Sequence, residues 1–215
     1  MHVLVTGFGP FLEHRDNPSA TLARAFRGRR AGGVTFGVEA PLPVAYGRGA
    51  ARALGAARAR RAEAVLALGL SGVADRLHLE LVARNRRSPM TPDMDGRIGP
   101  SVVRPGGPAT LRTALDVRRV GAALSADAIR WRVSDDAGDY VCNDLYYHLL
   151  WAGRAAAGPA YALFVHVPPT VPVARVAGPL AEGFVAALAR ARSGGRIPVE
   201  RPSTSAVPWS TLPAW

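Results

Sequence analysis

The sequence predicts an α/β fold, a three-layer αβα sandwich on a mainly parallel central sheet. Three observations predict it. Short, continuously apolar runs such as Ala64–Leu70 (AVLALGL) and Tyr161–Val167 (YALFVHV) suit strands covered on both faces, because side chains alternate across a sheet and both sides need apolar neighbours. Longer stretches carry apolar residues every three to four positions, the spacing of one buried helical face. The two kinds of segment alternate along the chain, and strands separated by helices favour crossovers and parallel pairing.

Residues 2–6 (HVLVT) read as the first strand, and the GFGPFLEHRDNPS that follows reads as a loop by its glycines and prolines. A strand followed by Gly7-Phe8-Gly9 invites a dinucleotide site. The third glycine of that fingerprint would fall on Leu12, and Pro10 would interrupt the helix start, so the site is rejected. Pro18-Ser19 opens a helix through residue 27 with Leu22 and Phe26 inward. Residues 34–44 form a strand with a proline-marked end, 49–64 an alanine-rich helix, and Ala64–Leu70 a strand central in the sheet. Residues 76–85 (RLHLELVARN) alternate: Leu77 and Leu79 face one way, His78, Glu80 and Val82 the other. Standing alone, Glu80 reads as a solvated carboxylate. Residues 86–108 are a long irregular segment, a length that in compact domains often carries function. A helix from Pro108 to residue 124, a strand over 128–134, the strand Tyr161–Val167 and a helix over 180–191 complete the order.

Residues 1–195 read as a single domain, and residues 196–215 as a proline- and serine-rich tail anchored by Trp209 and Trp215. One cysteine makes no internal disulfide, the start lacks a basic leader, and no apolar run reaches about 18 residues, so a cytoplasmic protein off the membrane is expected. The net charge of +11 comes from arginines scattered among alanine and glycine, with no lysine. Without a basic stripe interleaved with aromatics, nucleic acid is not an expected partner. HExxH, paired cysteines and a GK[ST] phosphate loop are all missing, and GLSGV misses the G-x-S-x-G elbow, so neither metal nor organic cofactor is implied.

The only cysteine lies in residues 139–151 (DYVCNDLYYHLLW), where Val141, Leu145 and Leu149, joined by Tyr146 and Leu150, trace a helical face. With Asp139 as N-cap, Cys142 falls in the first turn, where free N–H groups and the helix dipole favour an anion. The bland alternative is a thiol packed as a small hydrophobe. His166 is the penultimate residue of its strand, where α/β enzymes place catalytic side chains. A cysteine nucleophile needs a base and a group that orients the base, and Cys142, His166 and Glu80 can supply those roles.

The chain resembles the pyroglutamyl-peptidase I family of cysteine peptidases. VLVTGFGPF with NPS following is similar to the family's TGF-x-PF…NPS, and LHLELVARN to its segment around the catalytic glutamate. SDDAGDYVCN resembles S-x-x-AG-x-[YF]-x-CN, FVHVPP resembles the strand ending in HVP, and PDMDG and RPGGPA also fit. The resemblance implies Cys142 as nucleophile, His166 as general base and then acid, and Glu80 as the group orienting the imidazole. It implies that Phe8 and Phe11 clamp the lactam ring, that Tyr140 and Val141 line the same pocket, and that Asn17 shapes it. The substrates implied are peptides with an amino-terminal pyroglutamate, and the family often forms dimers or tetramers. Met90 stands where the family has an arginine, and SGVADR replaces its GGR or PGR, displacing Arg76. A diverged cysteine amidase for another small acyl group, or a non-catalytic homologue, are the alternatives.

Overall fold

The computed structural model describes residues 1–12 and 14–194; the expected tail and its tryptophans lie outside the described residues. In chain order the elements are β1 (His2–Phe8), α1 (Pro18–Arg24), β2 (Arg30–Ala31), β3 (Val34–Leu42), α2 (Arg48–Ala59), β4 (Ala64–Leu70), β5 (Leu77–Glu80), β6 (Val82–Arg84), β7 (Thr110–Arg112), α3 (Val117–Ala126), β8 (Trp131–Ser134), α4 (Val141–Arg154), β9 (Tyr161–Val167) and α5 (Val173–Ser193).

Seven strands form the central sheet in the order β2-β3-β1-β4-β9-β5-β8. The two runs read as doubly covered strands, β4 and β9, lie side by side at its centre, paired in parallel from Ala64↔Tyr161 to Leu70↔Val167. β3, β1, β4 and β9 run one way; β5 pairs antiparallel with β9, and β8 follows β5 in the reversed direction. Leu, Val and Phe side chains bury one face of the sheet against α1, α3 and α5. The other face packs on α2 and α4 through Leu4, Phe8, Val65, Ala67 and Phe164. This is the expected three-layer sandwich, with a sheet parallel in its central part and reversed at β5 and β8.

Four expectations are corrected. Residues 76–85 are not one strand: the chain leaves the main sheet after Glu80, and β6 pairs with β7 in a separate two-stranded ribbon. The single alternating pattern hid this break, because both halves alternate. The segment after Pro108 is not yet helical; it supplies β7, and α3 starts at Val117, capped by the Asp116 carboxylate, which accepts from Arg118 N. The last helix starts at Val173, not at residue 180, and carries Pro179 in its second turn. Finally, Gly7 and Phe8 belong to β1 rather than to the loop.

Candidate active site

α4 presents the cysteine. Its N-cap is Tyr140 rather than Asp139, and no side chain caps it, because the Tyr140 ring is turned toward other aromatic rings. Cys142 is the second helical residue and is half-buried. β8 runs opposite to β9, so the chain must return across the sheet between Ser134 and Tyr140 before α4 can bring Cys142 over β4 and β9. Gly69 of β4, paired with His166, makes room for the sulfur: a Cβ there would lie 2.9 Å from Cys142 Sγ and 2.6 Å from Phe164 Cζ.

Glu80 is fully buried, so the solvated reading of this carboxylate is wrong. β5 is covered on both faces: Leu77 and Leu79 enter the α1/α3/α5 core, while His78 and Glu80 turn toward α4. Glu80 Oε1 lies 2.8 Å from His166 Nδ1, and an ionised carboxylate only accepts, so Nδ1–H donates. Tyr146 of α4 donates to the Glu80 carbonyl at 2.9 Å, tying the helix to this strand. Burial works against a charged His166, but its hydrogen bonds to Cys142 and Glu80 outweigh it and raise its pKa from 6.5 to about 10. The edge of Phe164 packs on the imidazole at 4.9 Å. Cys142, His166 and Glu80 thus form a hydrogen-bonded line from three separated segments.

A second imidazole was missed. His78 sits between His166 and Arg132 in register across β9, β5 and β8, with Arg132 Nη2 3.4 Å from its Nδ1. Burial and the neighbouring guanidinium lower its pKa, so His78 is neutral beside the charged His166. The alternation of residues 76–85 already put His78 on the face of Glu80, and that was the signal.

The expected pocket residues divide into two groups. Phe11 packs on Tyr140 with ring centroids 5.5 Å apart, and Tyr140 packs on Tyr46, a residue sequence reading passed over, at 5.6 Å. Phe8 and Val141 are buried in the α2/α4 core behind this wall. Asn17 caps α1 by accepting from Ser19 N, and its Nδ2 donates to Gly9 O at 2.8 Å, which fixes the loop carrying Phe11. Among the described residues no group of three or more His, Cys, Asp or Glu could hold a metal ion.

Met90 stands where the resemblance implies an arginine, and Arg76, Arg86 and Arg87 are engaged elsewhere. Met90 is 81 % exposed. Arg76 is held by Asp75 at 2.6 Å, Arg86 lies 3.7 Å from Asp136, and Arg87 binds Asp144 at 2.6 Å.

A match to the pyroglutamyl peptidase family covers residues 1–185. A pyrrolidone-carboxylate peptidase of Gloeobacter violaceus is 36% identical over 170 residues, 78% of this chain and 82% of the relative. One from Clavibacter michiganensis is 36% identical over 172 residues, covering 77% and 78%. The crystal structure of Bacillus amyloliquefaciens pyroglutamyl peptidase I superposes with a TM-score of 0.82 at 26% identity, over 88% of this chain and 98% of that one. The line of Cys142, His166 and Glu80 and the match over residues 1–185 lead to one conclusion: this chain belongs to the pyroglutamyl peptidase family.

Proposed function

We propose that the protein hydrolyses the amide bond after an amino-terminal pyroglutamate, with Cys142 as nucleophile, His166 as general base and acid, and Glu80 as the group that orients and charge-stabilises the imidazole. The observation that carries this reading is the buried Glu80–His166 pair, 2.8 Å long, set beside the sulfur. The carboxylate fixes the ring so that the imidazole can receive the thiol proton and later deliver it to the leaving amine.

The sulfur adds to the carbonyl carbon of the lactam-bearing acyl group, and the oxygen becomes an oxyanion. Backbone N–H groups in the first turn of α4, a terminus without a side-chain cap, are the nearest donors for it. As the C–N bond breaks, His166 gives its proton to the departing amine, leaving a thioester on Cys142. Water then attacks the thioester while His166 takes its proton, and pyroglutamate leaves as the sulfur is regenerated. Phe11 and Tyr140, backed by Phe8 and Val141, are the walls for the flat ring, and Asn17 sets the position of Phe11. Apolar walls suit a lactam and disfavour an open-chain glutamate, whose charges would lose water.

The test is release of a fluorogenic amine from its pyroglutamyl amide under reducing conditions, wild type against Cys142→Ala. Cys142-dependent release is expected; turnover that survives the substitution rules out the assigned nucleophile. The exposed Met90 favours one second reading, an amidase for another small acyl group, and a panel of N-acyl amides separates the two. No helix among the described residues is long and apolar enough to cross a membrane. A reducing cytoplasm suits the thiol, and assembly into dimers or tetramers is checked by light scattering.

A further inference from the structure

We propose that the ion pair between Arg87 and Asp144 is a positioning device that holds the aromatic wall of Phe11, Tyr140 and Tyr46 against the helix of the nucleophile. The inference rests on the pyroglutamyl-hydrolase reading and adds how this chain shapes the pocket which that reading requires.

Asp144 lies two residues after Cys142, and its side chain is 2 % exposed. Oδ1 accepts from Arg87 Nε at 2.7 Å and lies 2.6 Å from Nη2, while Oδ2 accepts from Gly47 N at 2.8 Å. One carboxylate on α4 therefore grips both the loop that enters α2 and the long segment after β6. Arg87 carries the grip further. Its guanidinium sits 5.4 Å from the centroid of the Tyr46 ring, and its backbone N–H donates to Ser101 O at 2.7 Å. Tyr46 in turn packs on Tyr140 and donates its hydroxyl to Thr91 O at 3.2 Å, and the Tyr140 hydroxyl donates to Pro92 O. The wall is thus fastened to Asp144, two residues after the nucleophile.

Asn143 reinforces the same junction. Its side chain accepts from Arg84 N and donates to Arg84 O and Arg86 O, all at 2.8 Å. Arg87 is 9 % exposed and turns Nε and Nη2 of its guanidinium to Asp144, which assigns it as a positioning residue rather than a donor to the substrate. Removing one partner of such a pair leaves the other charge buried and alone, whereas removing both charges need not be costly.

The test compares wild type with Asp144→Asn, Arg87→Gln, Arg87→Lys and the double variant Arg87→Gln/Asp144→Asn. Two readouts are used: kinetics on a pyroglutamyl fluorogenic amide, and protection of Cys142 from iodoacetamide by 2-pyrrolidone, the bare lactam. Each single variant is expected to raise KM about tenfold with kcat within about threefold, the signature of lost uniform binding. Protection by 2-pyrrolidone weakens in parallel, unprotected alkylation keeps its rate, and the double variant recovers part of the loss. A fall in kcat at unchanged KM and protection would make Arg87 a transition-state donor and overturn the proposal. Equal losses in Arg87→Gln and the double variant would do the same, and Arg87→Lys gives the answer if a neutral variant does not fold. Wild-type turnover with unaltered protection in every variant sinks the clamp alone; a wild type neither active nor protected sinks the functional reading as well.

Discussion

The two faces of the central sheet are built from the same strands and have opposite chemistry. Toward α1, α3 and α5, β5 and β9 present Leu77, Leu79, Leu163, Val165 and Val167, which join one apolar cluster. Toward α2 and α4 the alternate residues of those strands include His78, Glu80 and His166, and from α4 Cys142 meets His166 and Tyr146 meets the Glu80 carbonyl. Burying polar groups costs free energy unless every one is satisfied. On the proposed reading the second face carries that cost because it houses the site, and the first face supplies the cohesion that offsets it. Function and stability are therefore separated by side-chain parity rather than by domain.

Substitutions on the two faces should move different quantities. Glu80→Gln removes the carboxylate that holds His166, and kcat should fall by about four orders of magnitude, as when the orienting acid of a triad is neutralised. Steady-state kinetics with folding monitored by circular dichroism checks this; full activity would put the orienting role elsewhere. On the other face, Phe184→Ala opens a cavity at a fully buried ring of α5 and should cost about 3–5 kcal/mol of stability. Denaturant unfolding measures that loss, and kcat of the folded variant should stay within about twofold, since no group near Cys142 moves. If Phe184→Ala depressed kcat as strongly as Glu80→Gln, the faces would not be independent.

A smaller effect sharpens the comparison at one atom. Gly69→Ala pushes a methyl group to within 2.9 Å of Cys142 Sγ and 2.6 Å of Phe164 Cζ, and both are held by the layers around them. Displacement of the nucleophile should lower kcat about ten- to a hundredfold, with about 1–3 kcal/mol lost to overpacking. Gly72, with nothing within 4 Å of its would-be Cβ, is the control and should tolerate alanine in the same assay.

How far the sequence discloses this arrangement follows from the same parity. Strands β4 and β9 are legible to the residue, because each is a nearly continuous apolar run cut off by turn residues, Ser71-Gly72 after one and Pro168-Pro169 after the other. Cys142, His166 and Glu80 could be named because each sits at an element end or on an alternating strand. Their burial could not be, because a strand with one polar side looks the same whether that side meets water or a helix. The reversal of β5 and β8 was equally hidden: pairing direction depends on where the chain returns, and the Asp135–Tyr140 return carries no signal of its own. Tyr46, Asn143, Asp144 and Arg87 were missed for a related reason. Their partners are backbone groups and rings far along the chain, and local periodicity does not record such contacts.

The smallest expected effect reads the charge on the polar face directly. Nuclear magnetic resonance of labelled His166 should show the ring protonated through neutral pH, with its midpoint raised from 6.5 to about 10. Because the folded value lies above the ordinary one, the pairing contributes fully to stability below 6.5 and that contribution is lost as pH rises through about 10. In Cys142→Ala one of the hydrogen bonds that raise the value is gone, so the midpoint should drop by more than about one pH unit. His78, held neutral by burial and Arg132, should titrate below its ordinary value in both proteins and serves as the internal reference. A His166 midpoint near 6.5 in the wild type would mean that burial outweighs the partners, and the polar face would then hold a neutral imidazole that must take the thiol proton during the reaction.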